Sequence, residues 1–207
     1  MIQGIWGRKV GMTQVFADDS SVVPVTVVNT AGWFVTQIKT IEVDGYNAIQ
    51  VACPRKKYEG QPFAQEWLKK LKQHFLFVKE IAITELPEGV VIGSPIDLAK
   101  ILAKDDSVDA VGITKGCGFA GAVRRWGFAG GPESHGSTFH NRPGSMGNMH
   151  ATGKVIKGKR LPGHMGDKQR TVQKLQVIQV RSEENIVLIK GSMAGKPGSL
   201  VFLRKRG

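Results

Sequence analysis

The chain has 207 residues, 41% of them hydrophobic, which is long and apolar enough to bury a core and excludes a wholly disordered protein. Its 29 Lys+Arg against 17 Asp+Glu leave a net charge of +12, so the chain repels itself unless a polyanion, nucleic acid or an anionic membrane, neutralises it. Two distant cysteines, Cys53 and Cys117, exclude a disulfide framework or a zinc ribbon and predict a reducing compartment.

The opening MIQGIWGRKVGM has no continuous apolar stretch followed by a small-residue cleavage site, so no export signal is predicted. Residues 20–38 carry no charge, but nine of these nineteen are Ser, Thr, Asn, Gln, Pro or Gly, which argues for strands rather than a membrane span. From residue 2 to 51, short apolar runs at 22–28, 33–38 and 46–51 alternate with turn residues, the spacing of a sandwich or small barrel. Pro62 then opens a segment that places Phe63, Ala64, Trp67, Leu68 and Leu71 on one helical face and Lys69, Lys70 and Lys72 elsewhere. It reads as an amphipathic surface helix near 61–73, its aromatics packed and its lysines solvated. Strands are predicted again at 78–84, 90–92 and 108–114, with a short helix at 97–102. After Arg170 come a strand around Leu175, Val177 and Val180, a turn at 181–185, its partner at 186–189, and a last strand at 200–203 before the basic end RKRG.

Between these strands the texture changes. Residues 112–166 hold fourteen of the 26 glycines and four of the five histidines, without a lasting period of 2 or 3.6. Residues 115–170 carry ten Lys+Arg against two acids, Glu133 and Asp167, an excess of +8 and two thirds of the net charge. A patternless connection of this length is functional or disordered. Cations neutralise phosphates, planar side chains stack on bases exposed in irregular RNA, and glycine permits close backbone approach. The composition therefore predicts an arm that penetrates folded RNA. Duplex DNA readers present a helix or ribbon, and membrane-surface segments an amphipathic basic helix; the arm has neither pattern.

Enzymatic readings fare poorly. Gly116, Gly118 and Gly121 match GxGxxG, yet Trp126-Gly127 and Gly130-Gly131-Pro132 interrupt the helix a dinucleotide site needs, and Glu133 comes too early to hold a ribose. His135, His140, His150 and His164 lack metal-ligand spacing. Ser134-His135 and Ser137-Thr138 have no orienting acid beyond Glu133 and no nucleophile elbow. No catalytic residue, cofactor or metal is assigned.

Several motifs carry a resemblance. Lys9-Val-Gly-Met-Thr13, Asp44-Gly-Tyr-Asn-Ala-Ile-Gln50, Thr114-Lys-Gly-Cys-Gly-Phe119 with Arg125-Trp126, Ser134-His-Gly136, Arg142-Pro-Gly-Ser145, Gly153-Lys-Val-Ile-Lys-Gly-Lys159, Gly163-His-Met-Gly166 and Lys190-Gly-Ser192 occur in one order. Together they resemble the family of the third protein of the large ribosomal subunit over nearly the whole chain, in its compact bacterial or organellar form. The resemblance implies a translation-factor-like β-barrel body, residues 1–111 and 171–207, and an inserted extension, 112–170, running through ribosomal RNA toward the peptidyl transferase centre with its tip around 146–152. It also implies an early role in subunit assembly near the 3′ end of the large-subunit RNA, beside other ribosomal proteins, in the cytoplasm or an organelle. Two departures stand out: His150 occupies the position of a glutamine that bacterial relatives often methylate, and PFAQEWLKKLKQHFLF replaces a short glycine-containing pattern.

The sequence thus predicts a mainly β protein with minor α structure, partnered by large-subunit RNA and neighbouring ribosomal proteins, with no membrane and no small-molecule substrate. The expected RNA-binding residues are Lys9, Lys115, Arg124, Arg125, Trp126, His135, His140, Arg142, Asn148, His150, Lys154, Lys157, Lys159, Arg160, Lys168 and Arg170.

Overall fold

A computed structural model describes residues 4–17, 19–84, 90–96, 101–147 and 153–206. The fold is mainly β, as the patterning predicts, and divides into two compact units: residues 1–113 with 169–207, and residues 114–168.

In the first unit, six strands form a closed barrel: β1 (Gly4–Phe16), β2 (Val22–Asn29), β6 (Ser107–Ile113), β9 (Gln169–Arg181), β10 (Ile186–Lys190) and β11 (Leu200–Lys205). They pair in the order β1-β11-β6-β9-β10-β2, and β2 returns to β1. All these pairs are antiparallel, and every strand has two neighbours, so no edge remains to template aggregation. Residues Ile5, Val28, Val108, Val177, Val187, Ile189, Val201 and Leu203 point inward and exclude water. The β9–β10 turn contains Asn185 at φ 54, a left-handed position that asparagine tolerates.

A second sheet of the same unit runs β3 (Phe34–Lys39), β4 (Ala48–Pro54), β5 (Phe75–Ala82). Its Trp33, Val35, Ile49, Val51 and Ile81 pack with Trp6 and Phe202 of the barrel strands. A one-turn helix, α1 (Ile41–Asp44), joins β3 to β4 and ends on Gly45 at φ 81.

One strand is missing from the sequence reading, and two of its expectations need correction. Strand β1, one of the two longest, escaped the pattern because Gly4, Gly7 and Gly11 interrupt its alternation. Gly7 is required there, since a Cβ would run into Val28 and Thr30. The helix expected near 61–73 is broken: a 3₁₀ segment, Gln65–Lys70, precedes one turn of α2 (Leu71–His74). Lys70 departs from helical angles, and Phe75 already belongs to β5, so too few residues remain for a full amphipathic helix. Its polarity is as read, with Trp67 buried against Tyr58, Phe63 and Phe75 and Lys69, Lys70 and Lys72 exposed. Residues 90–92 are not a strand, because Gly93 at φ 91 and the Ser94 N–H donating to Val91 O turn the chain. Most of the short helix expected at 97–102 lies outside the described residues.

Candidate nucleic-acid interface

The second unit, residues 114–168, has almost no core: Ala120 and Ala122 are its buried apolar side chains among the described residues. Hydrogen bonds shape it instead. At its base the Thr114 N–H donates to Lys168 O at 3.0 Å and the Lys168 N–H donates to Thr114 Oγ1 at 3.3 Å. Next, β7 (Gly118–Ala120) pairs with β8 (Gly163–Met165), and Gly166 approaches Lys115 O so closely that no side chain fits. A short helix, α3 (Ala122–Trp126), follows and ends on Gly127 at φ 72, the left-handed cap that glycine supplies without strain. The break that the sequence places at Trp126-Gly127 is there, at the end of a short helix that the sequence did not reveal.

Helix α3 presents Arg124, Arg125 and Trp126. Arg125 Nη1 and Trp126 Nε1 both donate to Leu161 O, at 2.7 and 2.9 Å. The Arg125 and Arg160 guanidiniums lie 5.0 and 5.8 Å from the Trp126 ring centroid, held by the ring's negative face rather than by carboxylates. Farther along, the Gly131 N–H donates to His140 O at 2.8 Å, and Phe139 covers Gly131 where a Cβ would clash. His135 and His140 occupy left-handed angles, φ 58 and 45, uncommon for non-glycine residues. This stretch is thus shaped by specific turns despite its lack of apolar periodicity.

Most expected contact residues are solvent-facing. Lys115, Arg124, Trp126, His135, His140, Arg142, Lys154, Lys157, Lys159, Arg160 and Lys168 are exposed in this unit, and Arg125 is half-buried. Arg170 is exposed on β9 of the first unit, opposite Gly112. Asn148 and His150, with most of the expected tip, lie outside the described residues. Among the described residues no cation of 114–168 forms an ion pair, so their charge is available to a ligand.

Lys9 is the exception. It is 8% exposed, and its Nζ donates to Met193 O at 2.8 Å and Gly195 O at 3.1 Å. A bulge in β1 between Lys9 and Gly11 accompanies this turn inward. The ammonium is taken up by the β10–β11 connection instead of solvent, so Lys9 is a structural residue of the body.

Phe139, one of the planar residues that the sequence interleaves with cations, is exposed. The expected contact residues leave out Phe119, which is 80% exposed, and Val155 and Ile156, which are also outside. Elsewhere the ionisable groups serve the body: Arg204 holds the Asp109 carboxyl below its usual range with help from the Lys174 N–H, and Lys205 does the same for Asp106. Burial pushes the Cys53 thiol up, opposed in part by Arg8. Among the described residues no three His, Cys, Asp or Glu side chains converge to hold a metal, and no helix is long and apolar enough to cross a membrane.

These features define a class: a mainly β protein carrying a separate, cation-rich unit shaped by glycine turns rather than by a core. The family model for Ribosomal protein L3 matches residues 85–186. The large ribosomal subunit protein uL3 of Bdellovibrio bacteriovorus is 46% identical over 205 residues, 98% of this chain and 92% of its own. Its counterpart in Syntrophotalea carbinolica is 43% identical over 99% of this chain and 98% of its own, and that of Bacillus cytotoxicus 43% over 99% and 97%. The chain belongs to the ribosomal protein L3 family, a family of structural rather than catalytic proteins.

Proposed function

We propose that this chain is a structural constituent of the large ribosomal subunit in the cytoplasm, with a translation-factor-like barrel body and an extension, 112–170, that enters ribosomal RNA. The carrying observation is the +8 excess over residues 115–170 together with the lack of ion pairs for the described cations of 114–168. Partial neutralisation by RNA phosphates would release counterions and remove the self-repulsion of an unpaired cationic unit.

Phosphates meet Lys115, Arg124, Arg142, Lys154, Lys157, Lys159, Arg160, Lys168 and Arg170; unstacked bases meet Trp126, His135 and His140; Arg125 braces Trp126. Asn148 and His150 belong to the tip that reaches toward the peptidyl transferase centre. Lys9 is left out of this set because its ammonium is already satisfied inside the body. The RNA near the 3′ end of the large-subunit molecule is the proposed target, bound early in assembly beside other ribosomal proteins. Sedimentation of the tagged chain through high salt tests the assignment. An integral component stays with the large subunit, whereas a chaperone acting off the ribosome is stripped and remains at the top of the gradient.

A further inference from the structure

The net charge of this chain is confined to two segments. Residues 115–170 account for +8, and residues 55–74 carry six cations, Arg55, Lys56, Lys57, Lys69, Lys70 and Lys72, against Glu59 and Glu66, for +4. These two values make up the whole +12; elsewhere thirteen cations meet thirteen acids. The shorter segment is therefore the more densely charged, and it belongs to the body unit.

The fold gathers its two basic runs. The Arg55 N–H donates to His74 O at 3.0 Å, and Arg55 Nη2 donates to Lys72 O at 2.8 Å. Tyr58 packs against both Trp67 and His74, with ring centroids 5.4 and 5.2 Å away. These ties bring residues 55–58 beside residues 67–74, so Lys56 and Lys57 stand close in the chain to an anchor on Lys72. All five lysines are exposed, and none forms an ion pair among the described residues.

The aromatics of this segment are packed rather than exposed. Trp67 is 7% exposed, Tyr58 and Phe63 are partly buried around it, and the Lys57 ammonium lies 5.8 Å from the Tyr58 ring centroid. Unlike the second unit, with Phe119, Trp126 and Phe139 exposed, this surface offers cations with few open stacking faces. Such a surface suits evenly spaced phosphates whose bases are paired and out of reach.

We propose that residues 55–72 form a second RNA-contacting surface, one that grips the phosphate backbone of a regular duplex while the extension engages irregular RNA. The choice of RNA over another polyanion rests on the ribosomal reading above; the existence of the surface does not. An acidic protein segment is the competing occupant.

The test uses the full chain and three probes: a blunt RNA duplex without loops, a folded 3′-domain fragment of large-subunit RNA, and polyglutamate of matched charge. In K56Q/K57Q/K69Q/K70Q/K72Q the log-log salt slope for the duplex should flatten by about three to four, with affinity at low salt falling at least tenfold. The same slope in K157Q/K159Q/R160Q should change less for the duplex and more for the folded fragment. An unchanged thermal midpoint shows that the exposed lysines were not holding the fold. Duplex binding unaltered by the five-lysine variant overturns the proposal, as does polyglutamate binding as tightly as the duplex. A wild-type chain that ignores the duplex but holds the folded fragment sinks this surface alone; one that ignores both sinks the ribosomal reading with it.

Discussion

The two units of this molecule treat charge differently. Outside its basic 55–74 segment, the body pairs several cations with carboxylates: Asp109 lies 3.0 Å from Arg204, Asp106 lies 2.8 Å from Lys205, and Glu80 lies 2.8 Å from Lys39. In the 114–168 unit no described cation has such a partner, and arginines rest on Trp126 or on a carbonyl. Glycine serves both units in the same two ways: Gly7 against Val28 and Gly166 against Lys115 O admit close approach, while Gly45 and Gly127 take left-handed turns in open space. One unit is stabilised from within; the other lays out cations without carboxylate partners among the described residues.

That contrast is broken most severely by core truncation. Leu203 is fully buried in the barrel, so Leu203→Ala should destabilise the chain by about 2–5 kcal/mol and lower its thermal midpoint. Trp126→Ala, at a half-exposed ring, should leave the midpoint nearly in place and weaken RNA binding instead. Equal losses of stability in the two variants would erase the distinction between the units.

Charge removal comes next. Lys157, Lys159 and Arg160 are exposed and form no ion pair among the described residues, and removing together the three charge-assisted phosphate hydrogen bonds proposed for them should reduce affinity for ribosomal RNA on the order of a hundredfold or more. Occupancy in purified subunits should fall accordingly. Replacing residues 148–150 with small residues should leave occupancy nearly intact while altering peptidyl transfer or sensitivity to drugs bound at that centre. Tip variants that lose occupancy as badly as the triple variant would remove this division between anchor and tip.

A smaller effect is expected from acid. Asp106 and Asp109 titrate below the usual carboxylate range, held there first by Lys205 and Arg204 respectively. A depressed folded value means their contribution is complete above the unfolded range, about pH 4, and is lost as pH falls through the folded values. The thermal midpoint should therefore drop as pH falls below about 4, and D106N/D109N should show a shallower drop from a lower starting point. Identical acid profiles for the two proteins would show that these clamps hold nothing.

Smallest of all should be differences within the second unit. The Cys117, Arg125, Gly127 and Gly131 amides donate to backbone carbonyls, so in the RNA-free chain they should exchange more slowly than their neighbours. They should still exchange far faster than Val28 or Val187 in the core. Core-like protection at Gly131 would mean the unit is stabilised by more than turns.

Much of this was legible in the residues, and the misses have physical causes. Strands β2, β10 and β11 declare themselves through apolar runs between turn residues, and the charge of the extension is visible by counting. Strand β1 is not, because glycines that admit neighbouring backbone leave gaps in its alternation. Lys9 looks like any basic residue until the fold brings it to the carbonyls of Met193 and Gly195. Helix α3 spans five residues, too few to show a period, although its glycine cap was visible. Local rules read local structure; interactions made across nearly the full chain length do not register in them.

Salt dependence of binding tests the central claim most directly. With magnesium fixed, the logarithm of affinity for a folded large-subunit RNA fragment should fall with the logarithm of salt at a slope on the order of −5 to −7, as about eight displaced counterions require. A slope near zero would contradict an interface built from unpaired cations on phosphates.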